Sequence, residues 1–113
     1  MIDEILEVGR TIKQPRTTLG VLCKSMEELG ELAQAINKNQ GYEEIVSEVA
    51  DVIIAITDVG LNAAIDVGEQ DKYEADLMIA ISKKLSKWIR CTASKQIRMV
   101  IWKSQQAGKS HSS

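Results

Sequence analysis

Glu27, Glu28 and Glu31, followed by Glu48 and Asp51, are the side chains of this sequence whose type and spacing suit chemistry. They lie in the stretch KSMEELGELAQAINKNQGYEEIVSEVADVIIAITDV, residues 24–59. Side chains three or four apart share a helical face. Glu28 and Glu31 therefore project together with Glu27 beside them, and Glu48 and Asp51 project together from a following helix. The segment from Asn37 to Gly41 is short and polar, which predicts two antiparallel helices and one groove where these carboxylates meet. Like charges at that spacing repel, and Asp51 falls within VADVIIAI, a run that reads as buried. A buried charge must be paired, coordinated or protonated. Hard divalent cations take carboxylate oxygens and keep waters for substrate phosphates. The expectation is a magnesium site on two helices, with manganese as an alternative ion and Asp51 as its most strained member.

The elements that must position these groups follow from apolar periodicity. Ile2, Ile5, Leu6, Val8 and Ile12 predict a helix over 2–13, ended by Pro15, the one proline. Thr17 or Thr18 caps a second helix over 17–38, whose expected buried seam is Leu22, Met26, Leu29, Ala33 and Ile36. Gly30 falls inside it, where it either packs closely against a neighbouring helix or admits a metal or nucleotide. A third helix over 42–64 is expected to bury Ile45, Val49, Val52, Ile56 and Val59. Glu43 and Glu44 suit its positive N-terminal dipole. A fourth spans 71–90, with Leu77, Ala80, Ile81, Leu85 and Trp88 inward, and a short fifth spans 95–105. The fold class is all-α: an antiparallel bundle of four to five helices in a single domain, 1–106, with a disordered tail, 107–113.

The chain has 113 residues, 44% hydrophobic and without phenylalanine, enough for one domain with an aliphatic core. A small chain with long helices often completes its core by association, so a homodimer or homotetramer is expected. The net charge of −2 hides an asymmetry: residues 1–75 carry 15 acidic and 6 basic side chains, residues 76–113 carry 1 and 8. The basic end either solvates the molecule or meets phosphates. It has no nucleic-acid motif and no aromatic-interleaved basic surface, so nucleic acid is not the expected partner. Cys23 and Cys91 form no CxxC pair and the one histidine is His111. Zinc is thereby excluded, the cysteines read as small buried or half-buried thiols, and a di-iron site lacks its Glu-x-x-His pairs. Neither a leader peptide nor an apolar run long enough to span a bilayer is visible, which gives a cytoplasmic expectation and no membrane partner.

Glu27-Glu28-x-x-Glu31 followed by Glu48-x-x-Asp51 resembles the EExxE…ExxD signature of the MazG-like, all-α nucleoside triphosphate pyrophosphohydrolases. The flanking words EELGELAQAI and EVADVIIAI extend the resemblance over residues 17–66. It implies magnesium-dependent hydrolysis of a nucleoside triphosphate, a dNTP or non-standard NTP, to the monophosphate and pyrophosphate. It further implies Glu28, Glu31, Glu48 and Asp51 as metal ligands. Glu27 and Glu28 become the catalytic pair, with Glu27 binding through water or orienting the attacking water. In such families a Lys or Arg from a later helix faces the phosphates, which nominates Lys83, Lys84 and Lys87. Asp58 and Asn62, further along the third helix, are candidates for the sugar or base, or else a polar helix end. A different class of function stays open: a non-catalytic helical interaction module that retains the acidic motif, suggested by the apolar end at Ile97–Trp102.

Overall fold

The computed structural model describes residues 1–12 and 14–110, with side chains up to residue 108. These residues form helices α1 (Ile2–Thr11), α2 (Thr18–Asn37), α3 (Tyr42–Asp66) and α4 (Tyr73–Ser110), with one 3-10 turn at Gln70–Lys72 and no strand among them. The protein is all-α, as its periodicity requires. Two compact units divide it, Met1–Ala75 and a second beginning at Asp76.

In the first unit α2 and α3 pack as an antiparallel pair. The Thr18 hydroxyl at the start of α2 donates to Asp66 at the end of α3, which fixes the direction. Thr17 caps α2, its hydroxyl accepting from the Gly20 N–H at 3.0 Å. α1 lies along α3 and buries Leu6 completely. It ends at Ile12, whose extended backbone leads toward Pro15. The rest of the expected 2–13 helix, Lys13, lies outside the described residues.

The face that α2 turns to α3 differs from the expected one. Ser25 and Ala35 are buried and Val21, Glu28 and Leu32 half-buried, a seam spaced four, three, four, three. The expected seam lies one residue further round: Met26 is 64% and Leu29 55% exposed, with Leu22, Ala33 and Ile36 also exposed. On α3, Ile45, Val52 and Val59 are half-buried as their spacing implies, whereas Val49 and Ile56 are exposed. The physical reason is that α2 carries two heptad stripes and periodicity alone favours the more apolar one. The helix instead lays down the stripe that holds Glu28.

Tyr73 closes the C-terminal end of this unit. Its hydroxyl donates to the Thr57 carbonyl at 2.8 Å, and its ring passes directly over Gly60, where a Cβ would collide with it. Burial, then the negative charge of Asp58, raises the Tyr73 pKa above its ordinary value.

α4 replaces two expected helices. A break was expected between residues 90 and 95, but no glycine or proline occurs from Glu69 to Ala107, so nothing interrupts the hydrogen-bond ladder. Residues 107–110, expected in a disordered tail, belong to this helix, while 111–113, with His111, lie outside the described residues. From Ala80 to Gly108 every α4 side chain is exposed, including Ile81, Leu85 and Trp88 of the expected inward stripe. Cys23 and Cys91 are exposed free thiols rather than buried ones. No described helix is long and apolar enough to cross a membrane.

Two glycines make opposite predictions. Nothing lies within 4 Å of a Cβ built on Gly30, so close helix packing within the described chain does not explain it. Gly30→Ala should stabilise the protein by up to about 1 kcal/mol. Gly60→Ala must push Tyr73 aside and should cost about 1–3 kcal/mol. Urea unfolding of both variants checks the pair; a destabilised Gly30→Ala would mean that this position is covered.

Candidate metal centre

The heptad stripe that α2 buries brings Glu28 to α3. One carboxylate oxygen each from Glu28, Glu48 and Asp51 lie within 4.8 Å of one another, a convergence found for no other group among the described residues. Glu28 is 14% exposed and Asp51 is exposed, which corrects the reading of Asp51 as a buried charge. The apolar run around Asp51 faces several ways on a helix, and its carboxylate emerges beside the groove rather than beneath it.

Glu48 is the strained member. One of its oxygens is shut off from solvent without a hydrogen-bond partner. Loss of hydration, then a hydrogen bond with Glu44, then the charges of Glu31, Asp51 and Glu44, hold its pKa above the ordinary 4.5. Glu31 thus joins the cluster through its field, though it is not among the three converging oxygens. Glu44 is the residue that sequence reasoning assigned to the helix dipole alone. Its signal was available, since it stands four residues before Glu48 on the same face.

A cation already attends the cluster. The Lys24 ammonium donates to Glu28 at 3.2 Å and lies 3.6 Å from Glu27. The hydrogen bond and charge of Glu28, then the charge of Glu27, raise its pKa. Glu27 itself is exposed and touches only this lysine among the ion pairs of the cluster. Lys24, Glu28 and Asp51 also line a pocket of about 440 Å³, whose apolar wall is formed by Ile5, Val8 and Ile12 of α1 and Ile54 of α3.

Asp58 and Asn62 are engaged within the protein. Arg16, from the segment between α1 and α2, pairs with Asp58 and donates to the Gly9 carbonyl at 3.2 Å. The buried Asn62 amide donates back to the Asp58 carbonyl at 2.9 Å. Arg16 and Asp58 are 42 residues apart, so spacing could not have announced them. Lys83, Lys84 and Lys87 are exposed residues of α4 in the second unit.

No family model, curated protein or solved structure matches the chain.

The donor set is all carboxylate oxygen, the chemistry of hard divalent ions rather than of zinc or copper. An orphaned oxygen on Glu48 is the feature such an ion would satisfy. In its absence ionised Glu48 destabilises the fold. Because its folded pKa exceeds the unfolded value, the stabilising effect of protonation is complete below about pH 4.5 and is lost as pH rises through the folded value. In EDTA at neutral pH, Glu48→Gln should therefore melt at or above wild type, and the difference should shrink on acidification. Asp51→Asn, being exposed, should change the metal-free melt little. Saturating magnesium should reverse the order, raising wild type by about 2.7 kcal/mol at a hundredfold excess over Kd and Glu48→Gln by much less. Thermal melts across pH, with EDTA and with magnesium, measure all of this. A Glu48→Gln that melts far below wild type in EDTA would show a structural hydrogen-bonding carboxylate instead.

Proposed function

We propose that this protein is a magnesium-dependent nucleotide pyrophosphohydrolase, cleaving a nucleoside triphosphate to the monophosphate and pyrophosphate. The observation that carries this reading is the convergence of Glu28, Glu48 and Asp51, together with a solvent-excluded, unpartnered oxygen on Glu48. The match of Glu27-Glu28-x-x-Glu31 and Glu48-x-x-Asp51 to the MazG-like pattern supports it.

Glu28, Glu48 and Asp51 would hold the ion, with Glu31 adding charge to the set. Magnesium or manganese, when bound, neutralises phosphate charge and makes a nearby water more acidic. Glu27 is free to turn from Lys24 and orient the attacking water, accepting its proton. Lys24 is a cation that the geometry of the first unit offers to a phosphate. Once the carboxylates have another counter-charge, its ammonium is released from Glu28 toward the shared pocket. The wall of Ile5, Val8, Ile12 and Ile54 suits the apolar face of a base, and about 440 Å³ is within the range of small-ligand sites.

The purified protein, incubated with each common dNTP and NTP and with non-standard bases in magnesium, should release pyrophosphate from at least one. Glu48→Gln should weaken magnesium binding at least about tenfold and abolish turnover. Lys24→Ala should raise KM for the nucleotide while leaving magnesium binding nearly intact. Magnesium binding without hydrolysis of any nucleotide would favour the non-catalytic interaction module; absence of both would remove the metal reading altogether.

A further inference from the structure

α4 runs unbroken through residues 90–95, so its two halves share one angular register. Seven residues of an α-helix come within about 20° of two full turns. Lys84, Trp88, Cys91, Lys95, Arg98 and Trp102, at alternating steps of four and three, therefore form one nearly straight stripe about 27 Å long. All six side chains are exposed, Trp88 at 70% and Trp102 at 55%. Each tryptophan has a cation one turn before it on the same face, and Lys95, Arg98, Met99 and Trp102 line one shallow depression. No acidic residue follows Asp76. None of the basic side chains from Lys83 to Lys103 has an ion-pair partner among the described residues. A break between residues 90 and 95 would separate the two tryptophans; the continuous helix makes an aromatic-interleaved basic surface that the sequence does not show.

We infer that this stripe of α4 binds single-stranded nucleic acid, with bases stacked on Trp88 and Trp102 and phosphates held by Lys84, Lys95 and Arg98. Every base has a π-face for an exposed indole, and the cations before and between the indoles supply charge for the intervening backbone. A duplex fits less well, because its bases are stacked on one another and leave the indoles nothing to cover. An anionic membrane also fits less well, since it needs one continuous apolar face. The apolar group around Ile81 and Leu85 and the group of Ile97, Val100 and Ile101 are turned from each other by about 120°. No plane buries both, whereas the stripe of cations and indoles crosses both halves of the helix. Stacking and phosphate contact do not read the 2′-hydroxyl, so DNA and RNA serve alike. The inference stands on α4 alone and does not depend on the carboxylate reading.

The chain has two tryptophans, both on the stripe, so the intrinsic fluorescence of the native protein reports on it directly. Titration of the full chain at low salt with oligo(dT) or oligo(U) of about twenty nucleotides should quench that fluorescence saturably and to a similar extent. Added salt should weaken binding with a log–log slope of about −2, from three phosphates at about −0.7 each. The double variant Lys95→Gln, Arg98→Gln should reduce the slope to about −0.7, whereas Arg90→Gln, Lys103→Gln, off the stripe, should leave it near −2. Trp88→Ala and Trp102→Ala should each weaken binding at least about fivefold, read by the anisotropy of a dye-labelled oligonucleotide, with helical circular dichroism retained. Tryptophan fluorescence unmoved by either oligonucleotide overturns the inference; the acidic first unit, or another copy of it, would then be what the stripe faces. Tighter binding to a duplex of the same length overturns it as well, as does a response to phosphatidylglycerol vesicles alone. An equal loss of slope in Arg90→Gln, Lys103→Gln would show diffuse positive charge in place of a stripe and has the same force.

Discussion

Packing α2 against α3 requires like charges to be brought together across a helix interface. Glu28 comes from one helix, Glu48 and Asp51 from the other, and Glu31 and Glu44 stand close enough to add their fields. Repulsion on this scale opposes the contact that the rest of the first unit is built upon. Lys24 offsets part of it from the exposed side, by pairing with Glu28. Such exposed pairs are weak, and the inner oxygen of Glu48 keeps no partner at all.

The contact is also held toward its open end by polar bonds. Thr18 donates to Asp66 across the open end of the hairpin, and Tyr73 donates to Thr57 on α3. Arg16 joins the segment before α2 to Asp58 on α3 and to Gly9 on α1, so one guanidinium ties three elements. Asn62 completes that arrangement from a buried position, where an unmade hydrogen bond would be costly. These bonds let two long helices stay in contact although their shared seam contains Ser25 and Glu28 where aliphatic side chains would pack better.

Local rules made much of this legible in the sequence. Apolar repeats placed α1, α2 and α3 within a few residues of their ends, and the three-and-four spacing of the acids was enough to bring Glu28 to Glu48 and Asp51. What remained hidden depends on information that period alone does not hold. Leu22, Met26 and Leu29 form a better apolar stripe than Val21, Ser25 and Glu28, so the wrong one of two adjacent stripes was expected inside. Asp51 stood in the more hydrophobic string, yet the desolvated oxygen belongs to Glu48, because burial is decided by the neighbouring helix and not by sequence neighbours. The unbroken course of α4 was missed because Cys91, Thr92 and Ser94 weaken an apolar repeat without interrupting a backbone. The Arg16–Asp58 pair spans too much chain for any spacing rule to find.

α2 can therefore be described as a rod with two bearing edges. One edge is aliphatic along its whole length, the other is interrupted by a hydroxyl and a carboxylate, and a single-residue roll of about 100° exchanges them. The roll would carry Glu28 out of reach of Glu48 and take the Lys24 ammonium away from the pocket wall. The angular setting of this helix and the assembly of the charge cluster are thus one mechanical coordinate. Hydrophobic burial within the pair pulls that coordinate one way, while the hydroxyl of Thr18 and any cover over the aliphatic edge hold it the other.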